Sequence, residues 1–263
     1  MNFLLYGKPG SGKTTAACTT PRRPILIFDI DNKANQMYNI KHLVKSGDVI
    51  IKPFSTPLVG DSLRDRALNP DKPMKNQPEG YLEIVDFLSD ILEGKTEYSE
   101  CKTIVIDSFT RLAEHLKRLL IYLRGQGKFG KGDGRGNSKR EGDMNWPSWG
   151  SYLSNFEELM TNIISLDTMD LILCAHEKSE EEKDQATGTS NILGIWPMVE
   201  GAMMKKLSSY FDEVYYLNPK ITTQTAEYRF RTRGTLYCCR SSLGLNTHEP
   251  ADINHCLKKG GVI

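Results

Sequence analysis

Residues Gly7-Lys8-Pro9-Gly10-Ser11-Gly12-Lys13-Thr14 spell G-x-x-x-x-G-K-[ST] directly behind an apolar run, Phe3-Leu4-Leu5-Tyr6, that reads as a buried strand. A glycine-rich turn at that place lets the backbone wrap a phosphate chain closely and aim several N–H groups at it. The pattern predicts a helix over roughly Gly12 to Cys18, with its positive dipole end facing the same anion. Gly7, Pro9, Gly10, Ser11, Gly12, Lys13, Thr14 and Thr15 are therefore the expected nucleotide-binding residues. The Lys13 ammonium would reach the β- and γ-phosphate oxygens of a nucleoside triphosphate, and the Thr14 hydroxyl would be a Mg²⁺ ligand.

At 263 residues the chain is long enough to bury a sizeable core. It reads as one domain over 1–263, with no internal repeat and no convincing boundary. No segment approaches about 18 uninterrupted apolar residues, and a strand stands where a signal peptide would begin, so a soluble cytoplasmic protein is expected. The six cysteines lack any C-x-x-C pair, which argues for buried reduced thiols over a zinc framework. With a net charge of +1, any role with nucleic acid must rest on where the charge sits.

Farther along, Pro24-Ile25-Leu26-Ile27-Phe28 and Ile50 to Phe54 read as strands, and Ser55 to Pro78 as a long surface connection. Tyr81, Ile84, Val85, Leu88, Ile91 and Leu92 have helical spacing and lead to the strand Thr103-Ile104-Val105-Ile106-Asp107. Ser108 is a candidate N-cap for a helix running to Gly125. A glycine-rich basic loop over 125–145 follows. A second helix carries Trp149, Tyr152, Phe156, Met160 and Ile163 on one face, then comes the strand Leu171 to Ala175, ending at His176. A second polar loop is expected over 177–194. A helix with Val199, Met203, Leu207, Tyr210 and Phe211 inward precedes the strand Glu213 to Leu217. Tyr228 with Phe230, and Leu236 to Cys239, read as antiparallel strands.

The remaining active-site chemistry should stand at strand ends. Asp107 is placed to hold Mg²⁺, while Ser108 beside it leaves no adjacent carboxylate to activate water. Asp29 and Asp31 are the candidates for that base, since strand alternation puts both on one face, and Asp31 lies furthest out. The competing reading is that both cap a turn with Asn32.

This order of parts resembles the RecA-like ATPase core across nearly the whole chain: the loop Gly7 to Thr14, then Phe28-Asp29-Ile30-Asp31, Ile104-Val105-Ile106-Asp107-Ser108, and Cys174-Ala175-His176. It is most similar to the phage Sak recombinase group, sharing also the late strand Phe211-Asp212-Glu213-Val214-Tyr215. The resemblance implies an α/β RecA-like P-loop NTPase core, with a mainly parallel sheet flanked by helices and antiparallel strands near the C-terminus. It implies an ATP- and Mg²⁺-dependent ATPase that binds single-stranded DNA and promotes annealing or strand exchange. Lys13, Asp31, Asp107 and His176 would be its catalytic residues. Asp31 is one methylene shorter than the family's glutamate, which implies slow turnover, and His176 replaces a glutamine sensor.

The same resemblance puts DNA-binding residues Lys128, Phe129, Lys131, Arg135, Lys139 and Arg140 in the first loop, where basic groups neutralise phosphates and the aromatic stacks on a base. The second loop is acidic from Glu180 to Asp184, leaving Thr187 to Asn191 as its candidate contact. It also implies a homo-oligomeric ring or filament, in which Arg240 would act on a neighbour's γ-phosphate, and a single-strand DNA-binding protein as helper. For a phage-encoded chain the compartment would be the host cytoplasm. A hexameric DNA translocase or helicase and a small-molecule kinase with the first loop as lid are the alternatives.

Overall fold

The computed structural model describes residues 1–54, 68, 76–128, 144, 146–164, 168–183, 190–222 and 225–263. Its first half runs β1 (Phe3–Gly7), α1 (Lys13–Ala17), β2 (Ile25–Asp29), α2 (Lys41–Ser46), β3 (Val49–Pro53), α3 (Gly80–Leu92), β4 (Thr103–Asp107) and α4 (Phe109–Gly125). The second half runs α5 (Trp146–Ile164), β5 (Asp170–Ala175), β6 (Glu177–Lys183), β7 (Ser190–Pro197), α6 (Met203–Lys206), β8 (Glu213–Leu217), β9 (Lys220–Ile221), β10 (Ala226–Glu227), β11 (Arg229–Arg231), β12 (His248–Pro250) and α7 (Ile253–Lys259).

Strands β1, β2, β4 and β5 are buried at every position, as their unbroken apolar runs demand of a sheet covered on both faces. Alternation divides each run between two cores. Leu4, Tyr6, Leu26, Phe28, Ile104, Ile106 and Leu173 pack with residues of α3, α4 and α5. Phe3, Leu5, Ile25, Ile27, Val105 and Ile172 pack with residues of α1 and α7. Each fully buried side chain of this kind contributes roughly 1.5–3 kcal/mol of transfer free energy.

The main sheet has the order β12-β11-β8-β1-β5-β4-β2-β3. Its pairs from β8 through β3 are parallel, while β11 runs antiparallel to both β8 and β12. The fold is thus the expected α/β architecture, with antiparallel strands at the C-terminal end. Because β5 lies between β1 and β4, the phosphate-loop strand and the Asp107 strand are not neighbours. Register aligns Gly7 with Leu217, Tyr6 with Ala175, Cys174 with Asp107, and Asp107 with Asp29. The carboxyl ends of the strands therefore share one edge, where open α/β sheets bind ligands. Ser108 caps α4 as expected, its hydroxyl accepting from the Arg111 N–H at 3.3 Å.

Three expectations change. The helix expected across Val199 to Phe211 is the short α6, continued by a 3-10 turn over Leu207–Tyr210, with Phe211 already extended. The segment read as a polar loop over 177–194 contains the antiparallel pair β6 and β7, with a register shift between Glu180 and Glu181. Its glutamates have poor strand propensity but line a two-stranded ribbon exposed at its outer end, where pairing outweighs propensity. Leu236 to Cys239 is not a regular strand, because β11 already occupies the end of β8 at Tyr216 and Leu217. Only isolated bridges remain there, Tyr237 to Ile195 and Arg240 to Val214. Most of the Ser55 to Pro78 connection, and most of the loop over 125–145, lie outside the described residues. Among the described residues no helix is long and apolar enough to cross a membrane.

Candidate functional site

The turn after β1 is shaped by glycines that nothing else could replace. A Cβ on Gly7 would stand 2.6 Å from the Leu217 carbonyl oxygen of the neighbouring strand. Gly12 has φ +91°, and a Cβ there would lie 2.9 Å from the Tyr228 ring. The turn closes through the Ser11 N–H donating to the Lys8 carbonyl at 3.1 Å, and α1 starts at once with Ala16 N–H donating to Gly12. The Lys13 ammonium donates to the carbonyls of Gly7 at 3.0 Å and Lys8 at 2.9 Å, with the Ser11 hydroxyl at 3.5 Å. Burial draws the Lys13 pKa below its usual value, opposed by Cys174, Asp107, Asp31 and Glu177.

A cavity of about 540 Å³ opens over this turn, within the usual range for ligand pockets. Pro9, Gly10, Gly12, Lys13, Thr14 and Thr15 line its phosphate-loop side, and Asp31, Asp107 and His176 line it from three other strand ends. All four expected catalytic residues thus meet in one place. The Thr14 hydroxyl donates to Asp107 Oδ2 at 2.5 Å. Burial pushes the Asp107 carboxyl up to about 6, the Thr14 hydrogen bond pulling against that and Asp31 adding to it. A buried carboxylate and a hydroxyl so placed are hard oxygen donors and fit Mg²⁺, with phosphate oxygens and waters completing its shell. Among the described residues no group of three or more His, Cys, Asp or Glu side chains forms a metal cage.

Asp31 lies between His176, whose Nε2 is 3.6 Å from Oδ2, and Ser108, whose hydroxyl donates to Oδ1 at 3.3 Å. Burial raises the Asp31 pKa, but His176, then Lys33 and Ser108, outweigh it and hold the carboxyl below the usual range. His176 is fixed through its backbone N–H, which donates to the Thr110 hydroxyl of α4 at 2.9 Å. Asp29 plays a different part. Its Oδ1 accepts from the Lys33 N–H at 2.9 Å and its Oδ2 from the Ala34 N–H at 2.8 Å, so it caps the turn and Asp31 alone faces the cavity. The alternation argument that paired them ends where β2 ends, at Asp29, before the turn through Asn32 at φ +59°.

Several lining residues were not singled out as site residues from the sequence: Lys33, Met37 and Asn39 beyond β2, and Tyr228, Pro250, Ala251 and Asp252 at the antiparallel end. The Ala251 N–H donates to the Tyr228 carbonyl at 3.1 Å, an arrangement no local motif announces. Of the expected DNA-contacting residues, Lys128 is described, its N–H donating to Leu123 just past α4. Phe129, Lys131, Arg135, Lys139 and Arg140 lie outside the described residues, as do 187–189 of the second loop. Arg240 is exposed and pairs with Val214, near the start of β8. That is the opposite end of the strand from Leu217, so within one chain Arg240 stands away from the phosphate loop.

Among solved structures, the chain is similar to a KaiC-like protein from the hyperthermophilic archaeon Pyrococcus horikoshii OT3 (11% identity, TM-score 0.41, covering 87% of this chain and 76% of that one). It is also similar to the flagellar accessory protein FlaH from Methanocaldococcus jannaschii (10% identity, TM-score 0.38, covering 95% and 85%). No curated protein matches the chain. The family described as AAA domain matches residues 1–249, spanning the phosphate loop and every strand end that lines the cavity except those after 249, and the chain belongs to that family of P-loop ATPase domains.

Proposed function

We propose that this chain is a Mg²⁺-dependent ATPase whose turnover is tied to single-stranded DNA, in the manner of the phage Sak group that its sequence resembles. The observation that carries the ATPase reading is the convergence of Lys13, Asp31, Asp107 and His176 around one cavity over the phosphate loop. Backbone N–H groups of Gly10 to Thr14 cradle the phosphates, and Lys13 leaves its loop carbonyls for the β- and γ-oxygens. Thr14 and Asp107 would hold Mg²⁺, which when bound would supply Lewis-acid stabilisation of the phosphate charge. Asp31, kept ionised by its neighbours, accepts the proton of the attacking water, and His176 steadies the carboxylate on its other side. Since Asp31, Asp107 and His176 mark the γ-phosphate end, the base extends toward Tyr228, Pro250 and Ala251, where an aromatic face and apolar atoms suit a purine.

The DNA-linked part rests on the basic stretch Lys128, Lys131, Arg135, Lys139 and Arg140, with Phe129 among them. Oligomerisation, a contribution of Arg240 to a neighbour's site, and a single-strand DNA-binding helper belong to the same reading. ATP hydrolysis measured with and without single-stranded DNA tests it. Stimulation by DNA supports the proposal, whereas phosphate transfer to a small acceptor with no DNA effect favours a kinase. Replacing the five basic residues together should weaken single-strand binding and flatten its salt dependence.

A further inference from the structure

Phosphoryl transfer spreads negative charge over the oxygens of the moving group, and enzymes meet it with cations placed beforehand. Among the described residues, two lysines line the cavity, Lys13 and Lys33. Lys13 belongs to the phosphate loop. Lys33 lines the cavity from the turn that follows β2, two residues beyond Asp31, with an exposed side chain and no ion pair within 4 Å among the described residues.

Its placement is built rather than incidental. Asp29, 1% exposed, spends both carboxylate oxygens on the N–H groups of Lys33 and Ala34. The Ile30 N–H donates to the Asp107 carbonyl at 2.7 Å, tying the same turn to the end of β4. Asn32 takes the left-handed conformation that bends the chain back toward the cavity. A short turn is thus held at three points, and it delivers Asp31 and Lys33 to the same end of the site.

We propose that Lys33 is a catalytic residue that supplies, from within the same chain, the positive charge that stabilises the transferring phosphoryl group. The proposal rests on the ATPase reading above. It differs from a neighbour-supplied arginine in needing no second subunit.

Lys33→Ala and Lys33→Arg test it, because an exposed side chain can be exchanged without unfolding the protein. Binding of Mg·ADP, and of Mg·ADP with aluminium fluoride as a mimic of the transferring group, is measured by calorimetric titration. For Lys33→Ala the mimic should bind about 10²-fold more weakly while ADP stays within about twofold, and Lys33→Arg should restore most of the loss. Unchanged binding of both ligands, or an equal loss for both, overturns the proposal. A mixture of Lys33→Ala and Lys13→Ala subunits should hydrolyse ATP no faster than the two separately, and recovered turnover would overturn action within one chain. Wild-type protein that fails to bind Mg·ADP refutes the ATPase reading itself and takes this inference with it.

Discussion

Asp107 and Glu213 are both buried carboxylates in the same sheet, the first closing β4 and the second opening β8, yet their surroundings differ sharply. Glu213 is saturated. Its Oε1 accepts from the Ser242 N–H at 2.7 Å and the Ser242 hydroxyl at 2.6 Å, and its Oε2 accepts from the Tyr215 hydroxyl at 2.6 Å. The Asp107 carboxylate accepts one hydrogen bond among the described residues, from Thr14, and burial lifts its pKa to about 6. Buried polar groups are normally satisfied, because leaving one short of partners costs about 1–3 kcal/mol. A carboxylate kept short of donors at the ligand edge is poised for a cation, whereas one fully bonded at the other edge staples the chain. Glu249 repeats the second pattern with the Asn246 N–H, His255 and Lys259, fastening β12 to α7.

The contrast is sharpened first at the phosphate loop. Lys13→Ala should lower ATP turnover by about 10³-fold, and unchanged turnover would remove the site assignment altogether. Asp107→Asn should lower turnover by about 10²-fold and yet raise the stability of the metal-free protein, by on the order of 2 kcal/mol, since a neutral amide needs no counter-ion. Urea unfolding without Mg²⁺ reads this, and a lower midpoint would show that Asp107 is structural like Glu213. Glu213→Gln should do the reverse. It strips a fully buried acceptor of its charge, so stability should fall by about 2 kcal/mol while turnover per folded molecule holds.

The smallest effect concerns pH. Burial raises the Glu249 pKa, but Lys259, the Asn246 N–H and His255 outweigh it, leaving the carboxyl below its usual value. The unfolded chain therefore binds this proton more readily, and the stabilisation is present above the unfolded pKa of about 4.3 and lost as pH falls through the folded one. Urea midpoints at about pH 6 and about pH 3.5 should converge for Glu249→Gln relative to wild type. Equal pH dependence in both proteins would break the parallel with Glu213.

Much of the site is legible in the chain because its parts are local. Lys13 and Thr14 follow from a contiguous motif, while Asp107 and His176 each close an apolar run whose burial on both faces is written in consecutive residues. Sequence position points to Asp31 as the outer carboxylate but leaves Asp29 on the same face, with a shared turn-capping role open for both. The turn bonds to Lys33 and Ala34 separate them. Tyr228 was read only as a strand residue, and its ring rests near Gly12 because β11 is wedged between β8 and β12. The β6 and β7 pair escaped a reading from composition for a similar reason, as ribbon pairing does not depend on glutamate's own preference.

By itself, then, the sequence determined that the chain folds as a parallel α/β sheet with a phosphate loop behind its first strand, because turn chemistry and apolar periodicity are properties of neighbouring residues. The tertiary structure decided that Asp29 caps a turn while Asp31 lines the cavity, and that Lys33 and Tyr228 line it together with Lys13. Those choices depend on contacts between segments as far apart as Gly12 and Tyr228, and the free energy of such contacts is settled only when the sheet brings them together.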